Sequence, residues 1–153
     1  MDFLYQDPYP ILKDDTTYKK LTSDYVKVEQ LGDREILVVD PKGLELLAQE
    51  AMDDVSFMLR SAHLQKLRNI IEDPEATDND RFVAYNLLQN AAVAVEGQLP
   101  SCQDTGTAIV VAKKGENVYT GVEDGEWLSK GIFNTYQNKN LRYSQIVPIS
   151  MFE

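Results

Sequence analysis

The chain carries a single cysteine, Cys102, in the heptapeptide PSCQDTG that runs from Pro100 to Gly106. An inert cysteine usually sits inside an apolar run as a small hydrophobe, whereas Gln103, Asp104, Thr105 and Gly106 are polar or turn-forming. A thiolate can ligate a metal or act as a nucleophile, and both roles need company. Structural zinc and iron-sulfur clusters take several cysteines, so one thiolate would need ligands from elsewhere. A nucleophilic thiol needs a base, and the only histidine, His63, lies four residues past Leu59 at a helix-helix join, where it reads as a packed or surface side chain. Asp104-Thr105-Gly106 alone reads as turn chemistry, and Arg142 in NLRYS as a surface ion-pairing residue. A lone cysteine forms no internal disulfide, which leaves an inert thiol and a chemical one both open.

The elements that must hold these residues belong to an ordinary globular chain. At 153 residues it has the length of one domain, and 43% apolar with 26% charged residues excludes the composition of disorder. With 15 Lys plus Arg against 25 Asp plus Glu, the formal net charge of -10 disfavours nucleic acid and anionic membranes as partners. No stretch approaches the ~20 apolar residues of a membrane helix, and the acidic, proline-broken start MDFLYQDPYP is unlike a signal peptide, so a cytoplasmic protein is expected.

Residues 1–24 show no sustained period and read as an extended arm, with Tyr5, Tyr9, Ile11 and Leu12 as its anchors. YVKVEQ and ILVV around Gly32-Asp33 predict a hairpin. Asp40 and Pro41 supply an N-cap and a first-turn proline for a helix whose stripe is Leu44, Leu47, Ala48, Ala51, Met52, Val55, Met58 and Leu59. Ser61 is expected to cap a second helix with Leu64, Leu67, Ile70 and Ile71 inward, ended by Asp73-Pro74. Thr77 and Asp80 predict a capping box for a third helix, with Val83, Leu87, Ala91 and Val95 buried and Gly97 as its stop. TAIVVAKK and ENVYTG, joined at Gly115, predict two strands, so the cysteine loop is expected to run from helix to strand. The segment 124–140 predicts a helix with Trp127, Leu128, Ile132, Phe133 and Tyr136 at core spacing, although Gly131 inside it costs about 1 kcal/mol. The fold class is α/β (α+β), with helices packed on a small mixed sheet in one domain, 1–153. NLRYSQIVPISMFE runs out at Glu153 with neither cap nor turn, and reads as a cut end.

LPSCQDTGTAIVVAKKGENVYTG and NTYQNKNLRYSQIVPISMFE, with LTSDYV, DVSFMLRSAH and EDPEATDNDRFVAYNLLQNA upstream, closely resemble the N-terminal region of class I fumarases, the iron-sulfur fumarate hydratases, over nearly the whole chain. The resemblance implies a hydro-lyase that interconverts fumarate and malate when complete, and an inactive fragment here. It implies that Cys102 is one of three thiolates on a 4Fe-4S cluster, the other two lying in later parts of the polypeptide. A loop between helix and strand suits a cleft shared with a second domain. With three protein ligands, the resemblance implies, one iron would keep an open position and could supply Lewis acidity toward the departing hydroxide. Gln103 and Asp104 match the family's substrate-contacting residues, Gln103 orienting a carboxylate and Asp104 serving as an acid or hydrogen-bond partner. Arg142 matches an arginine that binds a substrate carboxylate through its planar fork. The partners so implied are a small dicarboxylate, the remaining C-terminal region and a second copy in a homodimer.

Two further readings compete. L-tartrate dehydratases and the alpha subunit of two-subunit fumarases share the CQDTG region, although the long N-terminal arm favours the single-chain form. Alternatively, a noncatalytic binding module would keep Cys102 only for packing.

Overall fold

The computed structural model describes residues 3–10, 13, 17–102, 107–139, 141 and 142. β1 (Val26–Leu31) and β2 (Arg34–Val39) pair antiparallel from Val26 opposite Val39 to Leu31 opposite Arg34. The expected Gly-Asp turn joins them, with Gly32 in the left-handed region at φ 62°. β3 (Val118–Tyr119) adds to β2 in parallel, Leu37 opposite Val118, making a mixed sheet in the order β1-β2-β3. Three helices lie between β2 and β3: α1 (Pro41–Phe57), α2 (Ser61–Glu72) and α3 (Asp78–Ala94). α4 (Asp124–Asn138) follows β3. The α/β class, with helices and a small mixed sheet, is the one expected from the sequence.

Local signals placed the helix ends well. The Asp40 carboxylate accepts from Lys42 N at 2.9 Å, capping α1 with Pro41 in its first turn. Thr77 and Asp80 form the reciprocal capping box of α3, and Gly97 follows that helix at φ 74°. Ser61 differs from expectation: it is the first helical residue of α2, and the N-cap is Arg60, whose side chain makes no cap hydrogen bond. His63 is exposed on α2, a surface histidine.

The helices pack chiefly in two pairs, α1 on α4 and α2 on α3. α3 buries Ala84 and Ala94, with Leu88 and Ala91 half-buried, while the expected inward residues Val83, Leu87 and Val95 are exposed. The buried face is rotated by about one residue toward the alanines. Val83 and Leu87 instead line an open groove with Ile70, itself exposed rather than inward. In α4 the buried residues are Gly131, Thr135 and Tyr136, and Phe133 faces outward. A Cβ on Gly131 would overlap the Glu45 carbonyl oxygen and stand 2.9 Å from Ala48 Cβ, so the glycine that costs helix propensity is what allows α4 to rest on α1. Thr135 Oγ1 donates to Gln49 O at 2.9 Å across the same seam.

α1 splits its apolar stripe. Ala48 is buried and Leu44 and Met52 are half-buried, whereas Leu47, Ala51 and Val55 are exposed, and all of them border a groove of about 710 Å³ shared with Leu128 and Ile132 of α4 and with the segment after residue 106. The expected strand TAIVVAKK is a further correction, since residues 107–114 form no strand and join no ladder. Ile109, Val110 and Val111 are exposed, because no neighbouring strand among the described residues offers them a pleated surface to pack on. Lys113 pairs with Asp7 at 2.5 Å, and Lys114 donates to Thr120 Oγ1 at 2.7 Å and Asp124 Oδ2 at 2.8 Å. Within the N-terminal segment, Tyr5 and Tyr9 are exposed instead of anchoring it; Asp7 ties it to Lys113, and Lys19 pairs with Glu50 at 3.7 Å. Ile11 and Leu12 lie outside the described residues.

Glu45 links α1 to α4, accepting from Asn134 Nδ2 at 2.8 Å and pairing with Lys130 Nζ at 2.9 Å. The Lys130 hydrogen bond holds its carboxyl below the ordinary glutamate value of 4.5, with burial opposing and Asn134 assisting. A carboxylate with a lowered folded pKa contributes stability that is fully present above 4.5 and is lost as pH falls through the lowered value. Glu45→Gln should therefore flatten part of the acid limb of a stability-versus-pH curve and change little near neutrality beyond loss of the ion pair. An acid limb of unchanged steepness in urea titrations would show that this carboxylate does not couple folding to pH.

Candidate functional site

Cys102 is exposed and forms no disulfide. Its position is set by the residue before it. Ser101 N–H donates to Ser56 O at 2.9 Å, and Ser101 Oγ donates to the same carbonyl at 3.1 Å. Ser56 stands in the last turn of α1, where carbonyls have no intrahelical partner, so Ser101 satisfies one of the helix's orphan acceptors. Ser56 is buried, and its hydroxyl donates back to Met52 O at 2.7 Å. On the other side Asn90 Nδ2, on α3, donates to Ser101 O at 2.7 Å.

Arg142 is exposed and follows a residue that is equally well tied down. Leu141 is buried, packs with Phe57 and Tyr136, and donates its N–H to Tyr136 O at 3.1 Å. Met52 and Ile132 pack against this cluster. Cys102 and Arg142, distant in sequence, are thus each preceded by a residue fixed to the final turn of α1, one to Ser56 and the other to Phe57. Lys139 adds a charged contact at the same end, pairing with Asp53 Oδ1 at 3.2 Å and lying 5.4 Å from the centroid of the Phe57 ring.

Gln103 and Asp104, the expected substrate contacts, lie outside the described residues, as do Thr105 and Gly106. Among the described residues no group of three His, Cys, Asp or Glu side chains could hold a metal ion. An exposed thiol on a tethered backbone suits one position of a cluster that needs several thiolates, and the described residues supply no others. Sequence reasoning missed Ser56, Asn90 and Ser101. A serine at a helix end and an asparagine mid-helix carry no signal until the loop is seen against them.

Residues 45–152 match the family model described as fumarate hydratase (fumerase). The anaerobic class I fumarate hydratase of Escherichia coli K12 is 53% identical over 99% of this chain, and the aerobic class I enzyme of the same strain is 52% identical over 99%. The mitochondrial fumarate hydratase 1 of Leishmania major is 50% identical over 91% of the chain. The chain spans about 28% of the length of the Escherichia coli relatives and 26% of the Leishmania one. With more than half its residues matched by the family model, the chain belongs to the fumarate hydratase (fumerase) family.

Proposed function

We propose that this chain is the N-terminal portion of a class I fumarate hydratase, contributing one cluster thiolate and one face of the substrate site for the reversible hydration of fumarate to L-malate. What carries the reading is the anchoring of Cys102 and Arg142 to the same turn of α1, in a chain 53% identical to a class I enzyme. The names of the relatives favour fumarate over tartrate as substrate. Cys102 is one of the thiolates of a 4Fe-4S cluster whose remaining ligands come from the rest of the enzyme. When bound, that cluster supplies Lewis acidity toward a substrate oxygen. Arg142 holds a carboxylate of the dicarboxylate in a bidentate fork. Gln103 orients a carboxylate, and Asp104 gives or shares a proton at the hydroxyl that enters or leaves. The complete enzyme is read as a cytoplasmic homodimer, and this chain alone as inactive.

A chimera tests the proposal: this chain replaces the matching segment of the anaerobic Escherichia coli enzyme, and fumarate absorbance is followed without oxygen. Fumarate hydration by the chimera is expected. A folded, cluster-loaded chimera inert toward fumarate and malate would refute the substrate assignment, and a loaded chimera active on tartrate alone would replace it. In the active chimera Arg142→Met should lower kcat/KM by about 100-fold, the loss of a charge-assisted hydrogen-bonded contact. Arg142→Lys should recover only part of it, because an ammonium lacks the fork.

A further inference from the structure

Asn90 is an exposed residue in the interior of α3, where asparagine is a poorer helix former than alanine, and its amide reaches across to a loop carbonyl eleven positions later. The carbonyl it meets, Ser101 O, belongs to the peptide unit joining Ser101 to Cys102. The same residue's N–H and hydroxyl are committed to Ser56 O on α1. Ser101 is therefore held on its amide side by one helix and on its carbonyl side by another, and the orientation from which the thiol departs is fixed by both.

We propose that Asn90 is a positioning residue for Cys102: by donating to Ser101 O it locks the Ser101–Cys102 peptide plane and so aims the thiol. This rests on the reading of Cys102 as a cluster ligand, since a thiol without a metal partner needs no aim. Pre-organised ligands are commonly oriented by hydrogen bonds from neighbours that never touch the metal. Asn90 acts through Ser101 and is therefore a positioning residue, not a catalytic one. A purely structural role predicts a lowered melting temperature with faster exchange throughout α3, and the positioning role does not. Asn90→Ala loses one hydrogen bond but gains helix propensity, so global stability should barely move while order at residue 102 falls.

The lone cysteine makes the test direct, because a nitroxide reagent labels Cys102 and nothing else. Asn90→Ala and Asn90→Asp are compared with the parent chain by the nitroxide spectrum and by amide exchange at Ser101 N–H. The aspartate keeps the asparagine shape and, when ionised, cannot donate. Both variants are expected to show a more mobile nitroxide and about fivefold faster Ser101 exchange, at an almost unchanged melting temperature. Asn90→Gln, which retains the donor, should restore part of the protection. Unchanged spectra and exchange in both variants would overturn the proposal. So would changes that appear only alongside a lowered melting temperature and uniformly faster exchange throughout α3. If Cys102 proved not to bind iron, these readouts would stand unaltered, so the two readings fail separately.

Discussion

Cys102→Ala, placed in the active chimera, is expected to lose the cluster and turnover together while leaving the fold intact. The side chain is exposed, and exposed substitutions away from caps and ion pairs usually change stability by less than ~0.5 kcal/mol. The thiol should matter little to folding and greatly to iron. If iron supplies several kcal/mol of transition-state stabilisation, its loss lowers kcat by about 1,000-fold or more at 1.36 kcal/mol per decade. Iron and sulfide content, the visible absorbance of the cluster and the melting temperature are measured on one preparation. A packing thiol, as in a noncatalytic module, predicts a lower melting temperature with turnover retained. A chimera that kept both cluster and activity after the substitution would remove Cys102 from the ligand set.

Gly131→Ala should destabilise the protein by about 2 kcal/mol or more, although helix propensity alone favours alanine by about 1 kcal/mol. The opposite sign comes from the α1–α4 seam. The new Cβ would overlap a backbone carbonyl oxygen, that of Glu45, which no side-chain rotation can move away. Relief requires the helices to part, and parting strains the bonds from Thr135 Oγ1 to Gln49 O and from Asn134 Nδ2 to Glu45 Oε1, together with the Lys130–Glu45 pair. For a chain of this size 2 kcal/mol corresponds to a fall of roughly 4–8 °C in melting temperature. Thermal unfolding followed by circular dichroism decides the sign. A variant as stable as the parent or more so would mean that α4 does not sit as closely on α1 as described.

These two residues also mark where the sequence could and could not be read. Features governed by two or three neighbouring residues were legible: the Asp40–Pro41 helix start, the Thr77/Asp80 box, and the Gly32 turn with its hairpin. Features that depend on what arrives from elsewhere in the chain were not. The 3.6-residue period of α3 is satisfied almost equally by 83, 87, 91 and 95 and by 84, 88, 91 and 94, and which face is buried depends on what packs against the helix. Gly131 looked like a cost within α4 because its benefit lies on α1, more than eighty residues earlier. TAIVVAKK has the composition of a strand, but a strand needs a ladder, and none reaches it among the described residues. The roles proposed for Cys102 and Arg142 came from a family resemblance rather than from their own chemistry, which allowed blander roles. Their shared dependence on the end of α1 rests on non-local hydrogen bonds and burial that no local pattern encodes.

Whether iron actually occupies the Cys102 sulfur can be asked through the thiol itself. Anaerobic chimera, with its cluster intact or removed by chelation, is exposed to iodoacetamide, and the peptide spanning residues 99–113 is quantified by mass spectrometry over time. The account predicts slow alkylation of Cys102 in loaded protein and rapid alkylation once the cluster is gone. Equal rates in the two states would contradict it.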